Sequence, residues 1–148
     1  MQSKSQLTQD KLKAHSAKAM LVTCMDFRFH NDAAKYMKDH GYDVNYDKFV
    51  LAGVSLGMNQ AQKPYWAEAL MDHIEMSKTL HHITKVILMD HLDCGAYKTF
   101  RPDVKTEEEE IEAQKENLKK AEETLKKRFP DMKIKKRLMH KDGSVEKI

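Results

Sequence analysis

Three short apolar runs set the terms on which this chain can fold: AMLVTCMD (19–26), KFVLAGVS (48–55) and KVILMDH (85–91). Each has strand length and several β-branched members. A run that is mostly apolar, rather than apolar at alternate positions, is buried on both faces. The stretches between them are spaced as helices. Asn31 is placed to cap a helix over 32–39 that Gly41 ends. Pro64 opens a second helix, over 65–80, with Trp66, Ala69, Leu70, His73, Ile74 and Ser77 at helical spacing. Strands alternating with helices are βαβ units, so the expected fold class is α/β, a mostly parallel central β-sheet flanked by helices.

The C-terminal third continues the pattern. Thr106 and Glu109 form a capping box for a helix over 106–129, whose acidic start and basic end complement the helix dipole. Glu116–Lys120, Glu122–Lys126 and Glu123–Lys127 are i,i+4 pairs in the favourable orientation. Its apolar stripe (Ile111, Leu118, Ala121, Leu125, Phe129) is narrow, which predicts a helix on the outside of the domain. Pro130 stops it, KIKKRLMH (133–140) reads as a further strand, and Asp142-Gly143 reads as a tight turn into the C-terminal SVEKI. Residues 4–16 carry few apolar anchors and read as a frayed helix or docking arm. With 148 residues, no internal repeat and no low-complexity linker, one domain over 1–148 is expected, with 1–18 as an N-terminal helical arm.

Composition narrows the function classes. No stretch approaches the roughly 20 consecutive apolar residues that span a bilayer, and the polar start lacks the apolar core of a secretory signal. No membrane association and a cytoplasmic location are therefore expected. The net charge is only +3, and the basic run Lys133, Lys135, Lys136 and Arg137 has no interleaved aromatic side chains to stack on bases. It is read as a solvated strand edge rather than a nucleic-acid surface. Two cysteines in a chain this long are not a disulfide scaffold; such thiols are buried, metal-bound or catalytic.

Placement decides among these. Cys24 and Asp26 lie at the end of the first apolar run, with Arg28 just beyond; His91 and Cys94 lie at and beyond the end of the third. Open parallel sheets bind ligands at the carboxyl ends of strands, near a switch in strand order. If these two strands are neighbours, two thiols, an imidazole and an Asp/Arg pair converge in a coherent zinc site. Zinc takes thiolates and imidazole in a tetrahedron, and a catalytic site leaves its fourth position open. Neither short spacing is specific alone, but together they use both cysteines of the chain. Phosphatase, Walker-A and dinucleotide-binding patterns are absent.

CMDFR (24–28) and HLDCGAYK (91–98) resemble the C-x-D-x-R and H-x-D-C-G-A motifs of beta-class carbonic anhydrases, and the resemblance runs over about 19–100. It implies zinc on Cys24, His91 and Cys94, an Asp26–Arg28 dyad beside it, and reversible hydration of CO2 to bicarbonate by a zinc-bound hydroxide. It also implies a homodimer or tetramer. Asp26 would orient the nucleophile, and Arg28 would hold Asp26 ionised and off the metal through a bidentate pair. Several positions depart from the family pattern. Val50-Leu51 stand where Arg-Asn usually precedes Ala-Gly, Phe27 stands where small residues are common, and Asp90 stands where glycine is frequent. These departures motivate two alternatives: a zinc hydrolase of a related small substrate (COS or CS2), or a non-catalytic zinc-stabilised binding domain. Asp93 reads equally as a turn residue or as a partner of the site, and Gly95 as allowing close backbone approach or serving the turn. His30, His73, His81 and His82 are weighed as proton carriers, and none is placed in the catalytic set.

Overall fold

The first and third runs become strands buried along nearly their whole length, whereas the second forms an edge strand of alternating half-buried and exposed residues, because only one of its sides is paired. In the computed structural model, which describes residues 2–148, the strands are β1 (Met20–Thr23), β2 (Asp47–Val50), β3 (Lys85–His91), β4 (Lys133–Met139) and β5 (Val145–Lys147). They form one sheet in the order β2-β1-β3-β4-β5, parallel except for β5. The helices are α1 (Lys4–Lys13), α2 (His30–Asp39), α3 (Ser55–Asn59), α4 (Tyr65–His81), α5 (Ala96–Phe100) and α6 (Glu107–Arg128). This is the expected α/β architecture.

Alternation along the strands sends side chains into two cores. Met20, Val22, Val86, Leu88 and Ile134 pack with Leu70, Ile74, Leu118, Ala121 and Leu125, so α4 and α6 cover one face. Leu21, Ile87, Met89 and Met139 pack with Ala33 and Met37 of α2 on the other. Every residue of β1 is buried, as a central parallel strand requires. The chain leaves β1 for β2 on one side and returns past it to β3 on the other. The switch point therefore lies at the carboxyl ends of β1 and β3.

Four local expectations change. The cap of the segment after β1 is Asp26, which accepts the Arg28 N–H at the start of a 3-10 turn over Phe27–Phe29; Asn31 lies inside α2. The second run stops as a strand at Val50, because Gly53 (φ +76°) and Val54 (φ +44°) turn the chain into the short helix α3. A Cβ on Gly53 would sit 2.9 Å from Ala96 Cβ, so only glycine suits that turn without displacement. A positive φ at a β-branched residue is strained. Val54 is nonetheless buried and followed by Ser55, whose N–H and Oγ both donate to the Asp90 carboxylate, at 3.1 and 2.5 Å.

The third change concerns α6, which is not peripheral. Its buried face includes Ala113, Gln114, Asn117, Leu118, Ala121 and Leu125, and two of these are polar. An apolar stripe alone therefore understated the covered width. The fourth concerns the basic run. β4 is an interior strand, with β5 covering Arg137–Met139; Arg137 is buried and donates to Tyr36 Oη at 2.7 Å, while Lys136 pairs with Glu122 at 3.2 Å. Only the start of β4 remains an edge. Residues Lys4–Lys13 do form a helix, and no side chain of it is buried. No helix among the described residues is long and apolar enough to cross a membrane.

Candidate metal centre

β1 and β3 are adjacent and in register, Thr23 opposite Met89, so the residues just past their ends share one crevice. Cys24 follows β1, His91 ends β3, and the turn after β3 brings Cys94 back. The ligand atoms of Cys24, His91 and Cys94 lie within 4.8 Å of one another. The two Sγ atoms are 4.0 Å apart. Two thiolates at about 2.3 Å from one tetrahedral zinc would lie roughly 3.8 Å apart.

The imidazole is set up by its backbone. His91 Nδ1 donates to Leu92 O at 2.7 Å, which leaves the lone pair on Nε2. Nε2 is buried and has no hydrogen-bond partner. A buried, unpaired nitrogen facing two thiols is costly unless something accepts its lone pair, so the donor set fits a thiophilic cation.

Electrostatics favour thiolate here. Within the cysteine pair, Cys24 is drawn well below the ordinary thiol range, first by the Cys94 S–H and, against burial, by the Gly53 N–H at 3.5 Å. Cys94 is pushed up by the Cys24 thiolate and by burial. Asp26 stands beside the set, its Oδ2 3.7 Å from His91 Nε2. Arg28 donates to both Asp26 oxygens and holds that carboxyl down to about 2, although partial burial opposes it. Asp90, one residue before His91, is buried and pushed up to about 7 by burial, with the two Ser55 bonds pulling the other way.

A family model described as "Putative carbonic anhydrase" matches residues 14–148. The chain belongs to that carbonic anhydrase family. Among curated relatives, the "Uncharacterized protein RC0076" of Rickettsia conorii is 36% identical over 148 residues, 98% of this chain and 80% of the relative. Among solved structures, a tetrameric beta-carbonic anhydrase of Sordaria macrospora aligns with TM-score 0.63 at 11% identity, covering 98% of this chain and 87% of its own. The apo form of a carbon disulfide hydrolase aligns with TM-score 0.58 at 16% identity, covering 97% and 86%. At those identities the likeness is one of fold.

Within this carbonic anhydrase fold, all five residues singled out from the sequence (Cys24, Asp26, Arg28, His91 and Cys94) meet in one place. Asp93 serves both of its expected roles: it adopts the left-handed conformation (φ +57°) and accepts Arg28 at 2.9 Å. Gly95 lies in the turn that opens α5, where its carbonyl accepts the Lys98 N–H at 3.1 Å; with φ −60° and open space at its Cβ position, that turn does not require glycine. Of the four histidines, His30 lines the crevice with Asp26 and His91. His73 is on exposed α4 surface and bonds Ala69 O, while His81 pairs with Asp47.

Sequence reasoning missed two groups. Trp66 and Phe100, edge to face with ring centroids 5.5 Å apart, wall an open cleft beside Cys24 and Asp26 that also takes in Ala52 and Gly95. Glu110 and Gln114 of α6 bond the turn after β3. Their signal was present only as acidic and polar positions on a helix, where charge is ordinary.

Proposed function

We propose that the chain is a zinc-dependent carbonic anhydrase that interconverts CO2 and bicarbonate, with Cys24, His91 and Cys94 holding the metal. One observation carries the reading: a buried, unpartnered His91 Nε2 converges with two thiols while an ionised carboxylate, Asp26, stands next to it. Zinc, when bound, supplies Lewis acidity that lowers the pKa of water toward neutrality.

The chain's own residues do the rest. Asp26 accepts a hydrogen bond from the attacking water and orients its lone pair toward the carbon of CO2. Arg28 keeps Asp26 ionised at every working pH, and by engaging both carboxylate oxygens it holds Asp26 away from the ligand set. Trp66 and Phe100 give the cleft an apolar wall suited to an uncharged linear substrate. Hydration releases one proton per bicarbonate, and His30 is the nearby imidazole able to carry it outward. A homo-oligomer is part of the reading, supported by the wholly exposed α1, which displays Leu7 and Leu12.

Purified protein should hold one zinc per chain and hydrate CO2 above the buffer rate between about pH 7 and 9. Stoichiometric zinc with no hydration in that range would sink the reading. The apolar cleft wall also favours a second substrate class, COS or CS2, and the fold likeness to a carbon disulfide hydrolase agrees with it. Rates on CO2, COS and CS2 compared side by side separate the two.

A further inference from the structure

The turn that carries Cys94 is held by a carboxylate from α6. Glu110 Oε1 accepts the Asp93 N–H at 3.0 Å, and Oε2 accepts the Cys94 N–H at 3.1 Å. Gln114, one helical turn on and buried, donates from Nε2 to the same Glu110 Oε2 at 2.8 Å and to His91 O at 2.6 Å. Two helix positions thus bond the backbone of His91, Asp93 and Cys94, which includes both metal-ligand candidates contributed by this segment.

The turn needs such a partner. Asp93 has φ +57°, a conformation that a non-glycine residue keeps only when its surroundings fix it. Successive N–H groups at a left-handed turn form a concavity that accepts an anion. Here the anion is Glu110. From the opposite side Arg28 donates to the Asp93 carboxylate and carbonyl, both at 2.9 Å. The segment is therefore gripped between a cation that also orients Asp26 and an anion anchored on α6.

We propose that Glu110, locked by Gln114, is a positioning residue for the metal site: it fixes where Cys94 Sγ and His91 Nε2 stand. This rests on the reading of Cys24, His91 and Cys94 as a metal site. It assigns α6 a part in that site beyond packing, since an acidic side chain in a first helical turn would otherwise serve only the helix dipole.

Cobalt(II) titration of the full-length protein tests it, because thiolate-to-cobalt and d–d absorption report the ligand geometry directly. Glu110→Gln is expected to weaken cobalt binding by about 10- to 100-fold and to shift the d–d bands, with Glu110→Ala weaker still. Glu107→Gln removes the same charge from the same helix end but bonds Lys141 rather than the turn, and should bind like wild type. Unchanged binding and spectra in Glu110→Gln, or an equal loss in Glu107→Gln, would overturn the proposal. If wild type itself yields no thiolate–cobalt band, the metal-site reading falls and takes this one with it, a failure visible in the wild-type arm alone. Should Glu110→Gln not fold, Gln114→Met removes the donor to His91 O at nearly constant volume; it should show the same band shift, and unchanged bands would overturn the proposal.

Discussion

Arg28 Nη2 donates to Asp26 Oδ2 at 2.7 Å while Nε of the same guanidinium bonds Asp26 Oδ1 at 3.0 Å, a fork that fixes the carboxylate in plane. The Arg28 side chain is 44% exposed and that of Asp26 14%, so the pair contributes little to stability as a surface ion pair. Its value is positional. Lysine keeps the charge but cannot reproduce the fork or the added bonds to Asp93. Arg28→Lys is expected to lower kcat/KM by about tenfold or more with zinc content unchanged, read by stopped-flow hydration and metal analysis. Wild-type turnover in that variant would show that charge alone suffices.

Removing the carboxylate is the sharper test of its role. Asp26→Ala should keep zinc, since none of the three ligands is touched, and should lose activity on the order of 10²-fold, the lower range for a positioned proton acceptor. Loss of zinc together with activity would make Asp26 a ligand instead.

Asp26 also sets a pH signature in the metal-free protein. Its folded carboxyl is held at about 2, below the ordinary aspartate value of 3.8, chiefly by the Arg28 hydrogen bonds. A depressed folded pKa contributes stability that is present above the unfolded value and is lost as pH falls through the folded one. Urea denaturation of wild type and Asp26→Asn should therefore differ at pH 7 by no more than about 1 kcal/mol, since solvent screens the exposed guanidinium, and that difference should shrink between about pH 4 and 2. A difference that persists undiminished to pH 2 would contradict the ion pair as its source.

His30 lines the crevice with Asp26 and His91 and is exposed to solvent. If it carries the proton outward, His30→Ala should lower kcat severalfold in dilute buffer while kcat/KM holds, and added imidazole should restore it. An equal fall in both constants, insensitive to imidazole, would remove His30 from the path.

Asn117 probes the buried polar face of α6. Its Nδ2 donates to Tyr97 Oη at 3.1 Å, and its Oδ1 accepts Asn59 Nδ2 at 3.0 Å. Asn117→Ala strands the buried Tyr97 Oη, while Asn59 Nδ2 keeps its 2.8 Å bond to the residue 117 carbonyl. The change should cost about 1–3 kcal/mol in chemical denaturation, whereas an exposed helix position would change by less than about 0.5 kcal/mol.

The sequence by itself determined the strands and main helices, because apolar runs, capping residues and turn glycines act over a few neighbours. It also determined which side chains stand at or just past strand ends: Cys24, Asp26, His91 and Cys94 sit there whatever the strand order. Only the tertiary structure decided that β1 and β3 lie side by side, which brings Cys24 and Cys94, 70 positions apart, to 4.0 Å. Local pattern carries no information about that pairing. The same holds for Glu110, Gln114 and Asn117. A polar residue that is buried because it is hydrogen-bonded looks, along the chain, like one that faces water. Its role appears only when the backbone it bonds arrives from elsewhere in the fold.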